Sequence, residues 1–408
     1  MGRALRRIPA FDKVRKNQDD VLPMKPLNPT FSGLGTTIFS VMSGLAVQHG
    51  AINLGQGFPD TDGPMEVRER AARALREGPN QYPPMPGLEV LRQALSAHAK
   101  RFYGLSYDWR TEVVVTSGGT EALTASIMAV VKPGDEVIIF EPAYDSYRPI
   151  IEAVGGIAKP VRLTGPDWKL TREMLATAFG PRTQAVVLNS PMNPAGKVFT
   201  AEELALLADF ARQHDTIMIC DEVYEHLTYD GVRHAPLATL PGMRERCLRI
   251  GSAGKIFSLT GWKVGWIEGD AALVATVSKA HQFITFTTPS ALQIGVAHGL
   301  EHCEAYYLGL ASELEGNRDY LAAALSKLGF RPLAAKGTYF LTTDISDLRF
   351  NGTDVEFCRH MTEKAGVAAI PLSAFYSAEM PQKLVRFAFC KQRTVLEEAV
   401  ARLSRHYS

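Results

Sequence analysis

The chain has 408 residues, 46% of them hydrophobic and 21% charged, which is the balance of an ordinary globular protein. Its formal net charge of +1 provides no overall field that would attract nucleic acid or an anionic membrane surface. No apolar run is long enough to span a bilayer. From the charge and the apolar runs together, we expect neither a nucleic acid nor a membrane as partner.

The N-terminus and the cysteines indicate the compartment. Residues 1–16 are basic but lack the apolar core of a secretory signal, and the absence of serine argues against a transit peptide. We expect an N-terminal arm over residues 1–25. The five cysteines are scattered, and none has the spacing of a metal site or a redox motif. We therefore expect free thiols, no metal and a cytoplasmic location.

From about residue 88 the sequence alternates between helical and strand-like patterns. Helical periodicity in LEVLRQALSAHAKRF precedes the apolar run EVVVTS, and the helical TEALTASIMAVV precedes the strand-like DEVIIF, AVVLNS and TIMICD. Between the last two runs, Thr200 and Glu203 have the spacing of a capping box at the start of a helix. Strands that alternate with helices predict an α/β domain whose sheet is mostly parallel.

After about residue 300 the pattern changes. Long helical stretches at residues 301–328 and 395–405 flank the short strand-like segments GTYFLTTD and LVRFAFC. They predict a second, smaller α+β domain that also receives the segment before residue 60. We place the small domain at residues 26–59 and 300–408, and the large domain at residues 60–299.

Chemically useful side chains follow the predicted strands. In an open parallel sheet, ligands bind beyond the carboxyl ends of the strands. A Gly-Gly-Thr turn at 118–120 follows EVVVTS, where the N-terminus of a helix can bind an anion. Asn193 and Lys255 follow two other strands. Asp221 follows TIMIC, and Tyr224 lies three residues on, on the same face of an expected helix.

Each of these features also has an ordinary interpretation. The glycine turn can be only a turn, Asp221 can cap a helix, and Tyr224 can pack on an amphipathic face. Ser252-x-x-Lys255 matches the nucleophile motif of serine β-lactamases, but the S-D-N and K-T-G strings that this function requires do not occur. The sequence also lacks a G-x-x-x-x-G-K-[ST] loop, and GQGFPD lacks the last glycine of a dinucleotide fingerprint.

Two lysines, Lys255 and Lys263, lie in the apolar segment GSAGKIFSLTGWKVGW. We expect both to be buried, and a buried ammonium is costly unless it is paired or loses its charge. Each lysine should therefore have a specific partner. For Lys263 the alternative is a side chain that reaches solvent from an edge strand.

In combination, these motifs resemble the class I aminotransferases, which are fold-type-I pyridoxal-phosphate enzymes, and within them the kynurenine, glutamine and methionine aminotransferase subgroup. The resemblance runs from about residue 26 to the C-terminus. It rests on INLGQGFPD, NQYPPMPG, EPAYDSY, NSPMNPAGKVF, CDEVYEHL, SAGKIFSLTGWKVGW, GTYFL and LVRFAFCK. It implies a large α/β domain with a mostly parallel seven-stranded sheet covered by helices, a smaller α+β domain, and a homodimer with shared active sites.

The resemblance implies roles at a pyridoxal 5′-phosphate cofactor. Lys255 would hold the cofactor aldehyde as a Schiff base and then move a proton between the substrate and the cofactor. Asp221 would keep the pyridine nitrogen protonated, and Tyr144 would stack on the ring. Asn193 and Tyr224 would hydrogen-bond the phenolic oxygen. The phosphate would be bound by Gly119, Thr120, Ser252 and Lys263, with Tyr82 from the neighbouring subunit.

Arg386 is a lone guanidinium in the apolar run LVRFAFC, where it needs a planar anion. The alternative is an internal salt bridge. In the family the matching arginine binds the substrate α-carboxylate, and Gly57 and Asn193 would assist. Phe39 and Phe286 would line a side-chain pocket that offers no second cation, which favours methionine, aromatic, glutamine or kynurenine-type donors over aspartate.

The resemblance therefore predicts an aminotransferase that moves the α-amino group of an uncharged L-amino acid to a 2-oxo acid in a ping-pong cycle. Two alternatives stay open. A β-eliminating lyase uses related chemistry to expel a leaving group from Cβ, and a regulator would bind the cofactor without catalysis. The resemblance also predicts cis peptide bonds at Glu141-Pro142 and Asn193-Pro194, as the family often has at matching places.

Overall fold

The computed structural model describes residues 25–378 and 383–407, so the predicted N-terminal arm lies almost wholly outside the described residues. The chain divides into two units. The first unit ends at Leu34, and its described part contains the short helix α1. The second unit begins at Gly35 and contains the remaining elements.

Strands and helices alternate through the second unit, as the sequence predicts. The described strands are β1 Ile52–Asn53, β2 Val113–Thr116, β3 Glu136–Glu141, β4 Ile157–Arg162, β5 Thr183–Asn189, β6 Ile217–Asp221, β7 Cys247–Ser252, β8 Gly265–Gly269, β9 Arg331–Pro332, β10 Phe340–Asp344, β11 Val367–Ala368, β12 Ile370–Pro371 and β13 Leu384–Ala388. The described α-helices are α1 Pro29–Ser32, α2 Ile38–His49, α3 Met65–Glu77, α4 Glu89–Tyr103, α5 Gly118–Val130, α6 Tyr147–Ala153, α7 Arg172–Ala178, α8 Ala201–Gln213, α9 Ala253–Ile256, α10 Ala271–Ile284, α11 Ser290–His302, α12 Glu304–Lys327, α13 Asp354–His360 and α14 Arg393–Tyr407.

A seven-stranded sheet in the order β2-β8-β7-β6-β5-β3-β4 forms the centre of this unit. Its strands pair in parallel, except that β8 runs antiparallel to both of its neighbours. Every residue of β2 and β3 is buried, as expected where helices cover both faces of a parallel sheet. The predicted α/β fold with a mostly parallel seven-stranded sheet is therefore confirmed.

A second, antiparallel sheet has the order β12-β13-β10-β9, and β1 pairs in parallel with β11. The predicted strands GTYFLTTD and LVRFAFC lie side by side in it, with Thr342 opposite Arg386. The predicted long helix at residues 301–328 is divided: α11 ends at His302, Cys303 leaves the helical region at φ −110° and ψ 32°, and α12 follows. The domain boundaries stay predictions.

Local signals in the sequence place the element ends. The predicted capping box is present, since the Glu203 N–H donates to Thr200 Oγ1 at 3.3 Å and the Thr200 N–H donates to Glu203 Oε2 at 2.9 Å. α5 begins at Gly118 with φ +79°, a conformation that favours glycine. A Cβ on Gly265 of β8 would lie 2.5 Å from the carbonyl carbon of Gly118, so this close approach also requires glycine.

Two smaller predictions are also confirmed. The Glu141-Pro142 and Asn193-Pro194 peptide bonds are both cis. All five cysteines are free, and all are buried. Among the helices that the structure describes, none combines the length and the apolarity needed to cross a bilayer.

Candidate active site

A cavity of about 350 Å³ opens where the parallel strands of the seven-stranded sheet end. Its walls come from the segments that follow β1, β2, β3, β5, β6 and β7, together with residues of β10 and β13. The predicted site residues that it brings together are Phe39, Gly57, Gly119, Thr120, Tyr144, Asn193, Asp221, Tyr224, Ser252, Lys255, Lys263 and Arg386.

Two predicted site residues do not line this cavity. Tyr82 is 81% exposed and Phe286 is 38% exposed, and their rings meet edge to face with centroids 5.3 Å apart. The family resemblance implies that Tyr82 reaches the site of a neighbouring subunit. A single chain therefore leaves that assignment a prediction.

One end of the cavity has the features of an anion site. The N-terminus of α5 faces it, and a Cβ on Gly118 would lie 3.3 Å from Nζ of Lys263. Ser252 lies at the end of β7, and its Oγ accepts the Gly254 N–H at 3.2 Å. Lys263 is exposed and follows a 3₁₀ turn, with φ +52°. The expected burial of Lys263 is therefore wrong, because the cavity is open to solvent on this side.

Lys255 reaches the middle of the cavity from α9. Its side chain is half-buried, less than the sequence led us to expect. Nζ donates to the hydroxyl of Tyr339 at 2.8 Å. Burial lowers the pKa of Lys255 to about 8, and the positive charges of Lys263 and Arg386 add to this effect. The neutral fraction of this amine near neutral pH is therefore much larger than that of an ordinary lysine, although the protonated form still predominates.

Asp221 ends β6 as a buried carboxylate and forms no ion pair with any described residue. Its Oδ2 accepts the Tyr147 hydroxyl at 2.6 Å. Burial raises the pKa of Asp221, while the hydrogen bond from Tyr147 and the charge of Lys255 oppose the rise. The expected helix after Asp221 is wrong: Tyr224 lies in a turn, so neither helix capping nor an amphipathic face explains these residues.

Asn193 connects the two sides of the cavity. Its Oδ1 accepts Arg386 Nη1 at 2.9 Å, and its backbone N–H donates to Asn189 Oδ1 at 2.7 Å. Asn189 in turn donates from Nδ2 to the carbonyl oxygen of Asp221 at 2.9 Å. With its oxygen committed to Arg386, Asn193 keeps its amide N–H groups for a ligand.

Arg386 is 1% exposed and forms no ion pair with a described carboxylate, so the internal salt bridge considered above is absent from residues 25–378 and 383–407. Nη2 donates to the carbonyl oxygen of Gly55 at 2.8 Å, and Nε has no hydrogen-bond partner among the described residues. The guanidinium carbon lies 3.8 Å from the ring centroid of Phe340. Burial lowers the pKa of Arg386 to about 10. Both neighbours on Nη1 and Nη2 are neutral, so this cation still needs an anion.

Sequence reasoning missed several residues of the cavity and its support. Tyr147 and Tyr339 stand in the quoted motifs EPAYDSY and GTYFL, but nothing in the local sequence indicates that they contact Asp221 or Lys255. Asn189 and Phe340 were missed for the same reason. Two histidines outside the cavity have partners of their own: His281 contacts Glu121 at 2.7 Å, and His226 contacts His98 at 2.7 Å.

Comparison with known proteins places this arrangement in a family. Residues 49–403 match the family described as aminotransferase class I and II. The chain is 42% identical over 370 residues to the methionine aminotransferase of Escherichia coli, covering 91% of this chain and 96% of that protein. It is 38% identical over 413 residues to the kynurenine–oxoglutarate transaminase of Dictyostelium discoideum, covering 92% and 95%.

The solved structure of N-succinyldiaminopimelate aminotransferase from Mycobacterium tuberculosis matches with a TM-score of 0.91 and 44% identity, covering 93% of this chain and all of that one. These relatives support neither a lyase nor a non-catalytic regulator. Because the family match spans most of the chain and the lysine, carboxylate and guanidinium meet at one cavity, the chain belongs to the class I and II aminotransferases.

Proposed function

We propose that the cavity binds pyridoxal 5′-phosphate and transfers the α-amino group of an uncharged L-amino acid to a 2-oxo acid. One observation carries the proposal: two buried charges of opposite sign, Asp221 and Arg386, lack ionic partners among the described residues. Other buried charged groups are satisfied by the chain itself: Lys197 pairs with Glu203 at 2.7 Å, and Asp354, which has no ion pair among the described residues, accepts the N–H and the hydroxyl of Ser373 at 2.8 and 2.7 Å. A pyridinium N–H and an α-carboxylate would satisfy the two unpaired groups.

The donor set fits this cofactor, on which the family depends. Its phosphate would lie against the N-terminus of α5, with Ser252 and Lys263, where N–H groups and a positive charge converge. Tyr144 and Asn193 would contact the ring and its phenolic oxygen. When bound, the cofactor supplies an electron-withdrawing ring that stabilises negative charge at the substrate Cα.

Residues of the chain itself would hold the cofactor, transfer the proton and orient the substrate. Lys255 would hold the cofactor through its ε-amine and, once freed by substrate, act as the base and acid at Cα, for which a pKa of about 8 is suitable. Tyr147 helps to keep Asp221 ionised in its buried position. Arg386 would bind the substrate carboxylate through two N–H groups and so orient the Cα–H bond.

The lining of the cavity favours an uncharged side chain on the substrate. Among the residues that line it in the described part of the chain, Arg386 is the only arginine, and Phe39 and Phe340 supply apolar walls. A second carboxylate would need a further cation in a partly dry site. This argues for a methionine, aromatic, glutamine or kynurenine donor. It argues against aspartate, and also against N-succinyldiaminopimelate, whose additional carboxylates lack a matching partner.

We further propose a homodimer in which a second copy completes the site. The support is a group of exposed aromatic side chains: Tyr82, Phe286 and Phe283, the last 85% exposed. An exposed cluster of this kind is typical of an interaction surface. The cytoplasmic location stays a prediction.

The first experiment is borohydride reduction of the cofactor-loaded protein, followed by peptide mapping. We expect the label on Lys255, and label on another lysine would refute the proposed site. The second is kcat/KM for methionine, kynurenine, glutamine, aspartate and N-succinyl-L,L-diaminopimelate with one shared oxo acid, measuring both oxo acid and ammonia. A preference for aspartate or for N-succinyl-L,L-diaminopimelate would refute the pocket assignment, and ammonia release without amino transfer would favour the lyase.

A further inference from the structure

The hydroxyl of Tyr339 lies between Lys255 and Gly57. It is 2.8 Å from Nζ of Lys255 and 2.5 Å from the carbonyl oxygen of Gly57. Tyr339 directly precedes β10 and is buried, and its ring is held edge to face against Tyr224 and Phe340 at centroid distances of 5.2 and 4.8 Å. The hydroxyl therefore occupies a fixed position beside the amine.

The direction of the two hydrogen bonds follows from the groups involved. A backbone carbonyl can only accept, so the O–H of Tyr339 donates its single proton to Gly57. The Tyr339 oxygen must then accept an N–H from Lys255. An ammonium and a neutral amine both have an N–H to donate, so this contact persists when Lys255 loses its proton.

From this geometry we infer that Tyr339 is a positioning residue for proton transfer, which directs the lone pair of the neutral Lys255 amine at the substrate Cα. One N–H is bound to Tyr339, so the lone pair takes one of the two remaining positions on Nζ, and Lys255 lines the same cavity as Arg386. When the Cα–H bond breaks, its proton forms the new N–H bond on Nζ, and the electron pair stays on the substrate. The inference rests on the proposed function.

The same hydroxyl also fixes the other end of the substrate. Gly57 lines the cavity, and the family resemblance implies that it assists at the substrate carboxylate beside Arg386. Since Tyr339 binds the carbonyl of that residue, one side chain sets the distance between the base and the carboxylate contact. An error of about 1 Å in such a distance can cost on the order of a hundredfold in rate.

Without the Tyr339 hydroxyl, the Lys255 amine could occupy a second position. Lys255 and Tyr339 both line a second, smaller cavity of about 20 Å³. This volume can hold one water molecule, and the buried hydroxyl of Ser258, which also lines it, has no partner among the described side chains and backbone. The amine released from Tyr339 could therefore turn toward this cavity and lose its alignment.

The test compares Tyr339→Phe with Tyr229→Phe as a matched control. Tyr229 is also buried and also donates its hydroxyl to a backbone carbonyl, that of Thr338, but it lines neither cavity. Both changes keep the ring and its packing, so both proteins should fold, which thermal melting checks.

The first readout needs no cofactor. In the apoprotein, the pH dependence of acetylation at Lys255, followed by peptide mass spectrometry, reports the pKa of the amine. The oxygen of Tyr339 favours the protonated amine, so we expect Tyr339→Phe to lower this pKa by about one unit. Tyr229→Phe should leave the profile unchanged. If the pH profile of acetylation is the same in the unmodified protein and in both variants, the proposed effect of the Tyr339 hydroxyl on Lys255 is refuted.

The second readout is steady-state turnover of methionine and of α-deuterated methionine. For Tyr339→Phe we expect kcat to fall roughly ten- to a hundredfold, KM to change less than about threefold, and the isotope effect on kcat to be at least that of the unmodified enzyme. A kcat within about threefold of the control, or a smaller isotope effect, would overturn the inference. If the unmodified protein transfers no amino group at all, the proposed function fails instead, and the acetylation profile still tests the contact.

Discussion

Replacing Arg386 by alanine should weaken every amino acid and oxo acid substrate together. The guanidinium is almost completely buried, and Asn193 and Gly55 already hold it in position, so little binding energy is lost in ordering it. Truncating one side of a buried charge pair costs about 2–5 kcal/mol. This corresponds to a loss of roughly thirty- to several-thousand-fold in kcat/KM.

The assay is kcat/KM in both half-reactions, with the absorbance of the bound cofactor as a check on the rest of the site. Arg386→Lys keeps the charge but loses the planar pair of donors, and should recover only part of the loss. Arg318→Ala is a useful comparison, because Arg318 is also buried but binds Asp230 through two contacts of 2.8 Å. That change should lower the melting temperature and leave substrate affinity unaffected.

A loss limited to one class of substrate would refute the assignment of Arg386 to the α-carboxylate, because all of the substrates share that carboxylate. Selective loss would make Arg386 a side-chain selector. A changed cofactor spectrum without substrate would also refute it, because the guanidinium is proposed to touch the substrate and not the cofactor.

Four further outcomes are expected. Tyr147→Phe removes a hydrogen bond that favours the charged form of Asp221, so the pKa of Asp221 should rise and the acid limb of the pH–rate profile should move to higher pH; an unmoved limb contradicts this role. Lys263→Ala should weaken binding of pyridoxal 5′-phosphate much more than binding of unphosphorylated pyridoxal in a spectroscopic titration, and equal losses would place the phosphate elsewhere. Phe283→Asp should reduce self-association in sedimentation experiments; a monomeric unmodified protein would refute the dimer. Thr200→Ala should cost about 0.5–2 kcal/mol of unfolding free energy without changing kcat, through the lost capping box.

The strands that the sequence predicts best are those buried on both faces. In β2 and β3 the apolar residues are continuous, so neither the element nor its end is ambiguous. β8 is different, because its sequence, GWIEG, contains two glycines and a glutamate. Glu268 is buried there only because Arg249 on the neighbouring strand binds it at 2.7 Å, and burial raises the pKa of Glu268 to about 8. No local pattern in the sequence predicts such a pairing.

In the site, as in the strands, the features that the local sequence determines could be predicted, and those that depend on distant residues could not. Residues at or shortly after the end of a strand, such as Asp221 and Lys255, could be predicted, because strand ends meet at one edge of the sheet. Tyr147 and Tyr339 could not be assigned a role, since their contacts join residues 74 and 84 positions apart. The turn at Tyr224 was missed because residues three apart also fit a helix, and the exposure of Lys263 depends on where the cavity opens.

The contact between Arg386 and Gly55 joins residues 331 positions apart, while the phosphate contacts predicted within one chain, Gly119, Thr120, Ser252 and Lys263, belong to the segment between residues 118 and 263. Loop-closure cost rises with sequence separation, so the contact between Arg386 and Gly55 should form later than the phosphate contacts. During refolding, we therefore expect the protein to capture its cofactor before it can recognise an amino acid. Cofactor fluorescence should recover first and turnover second, which makes coenzyme binding an incomplete measure of how much refolded protein is active.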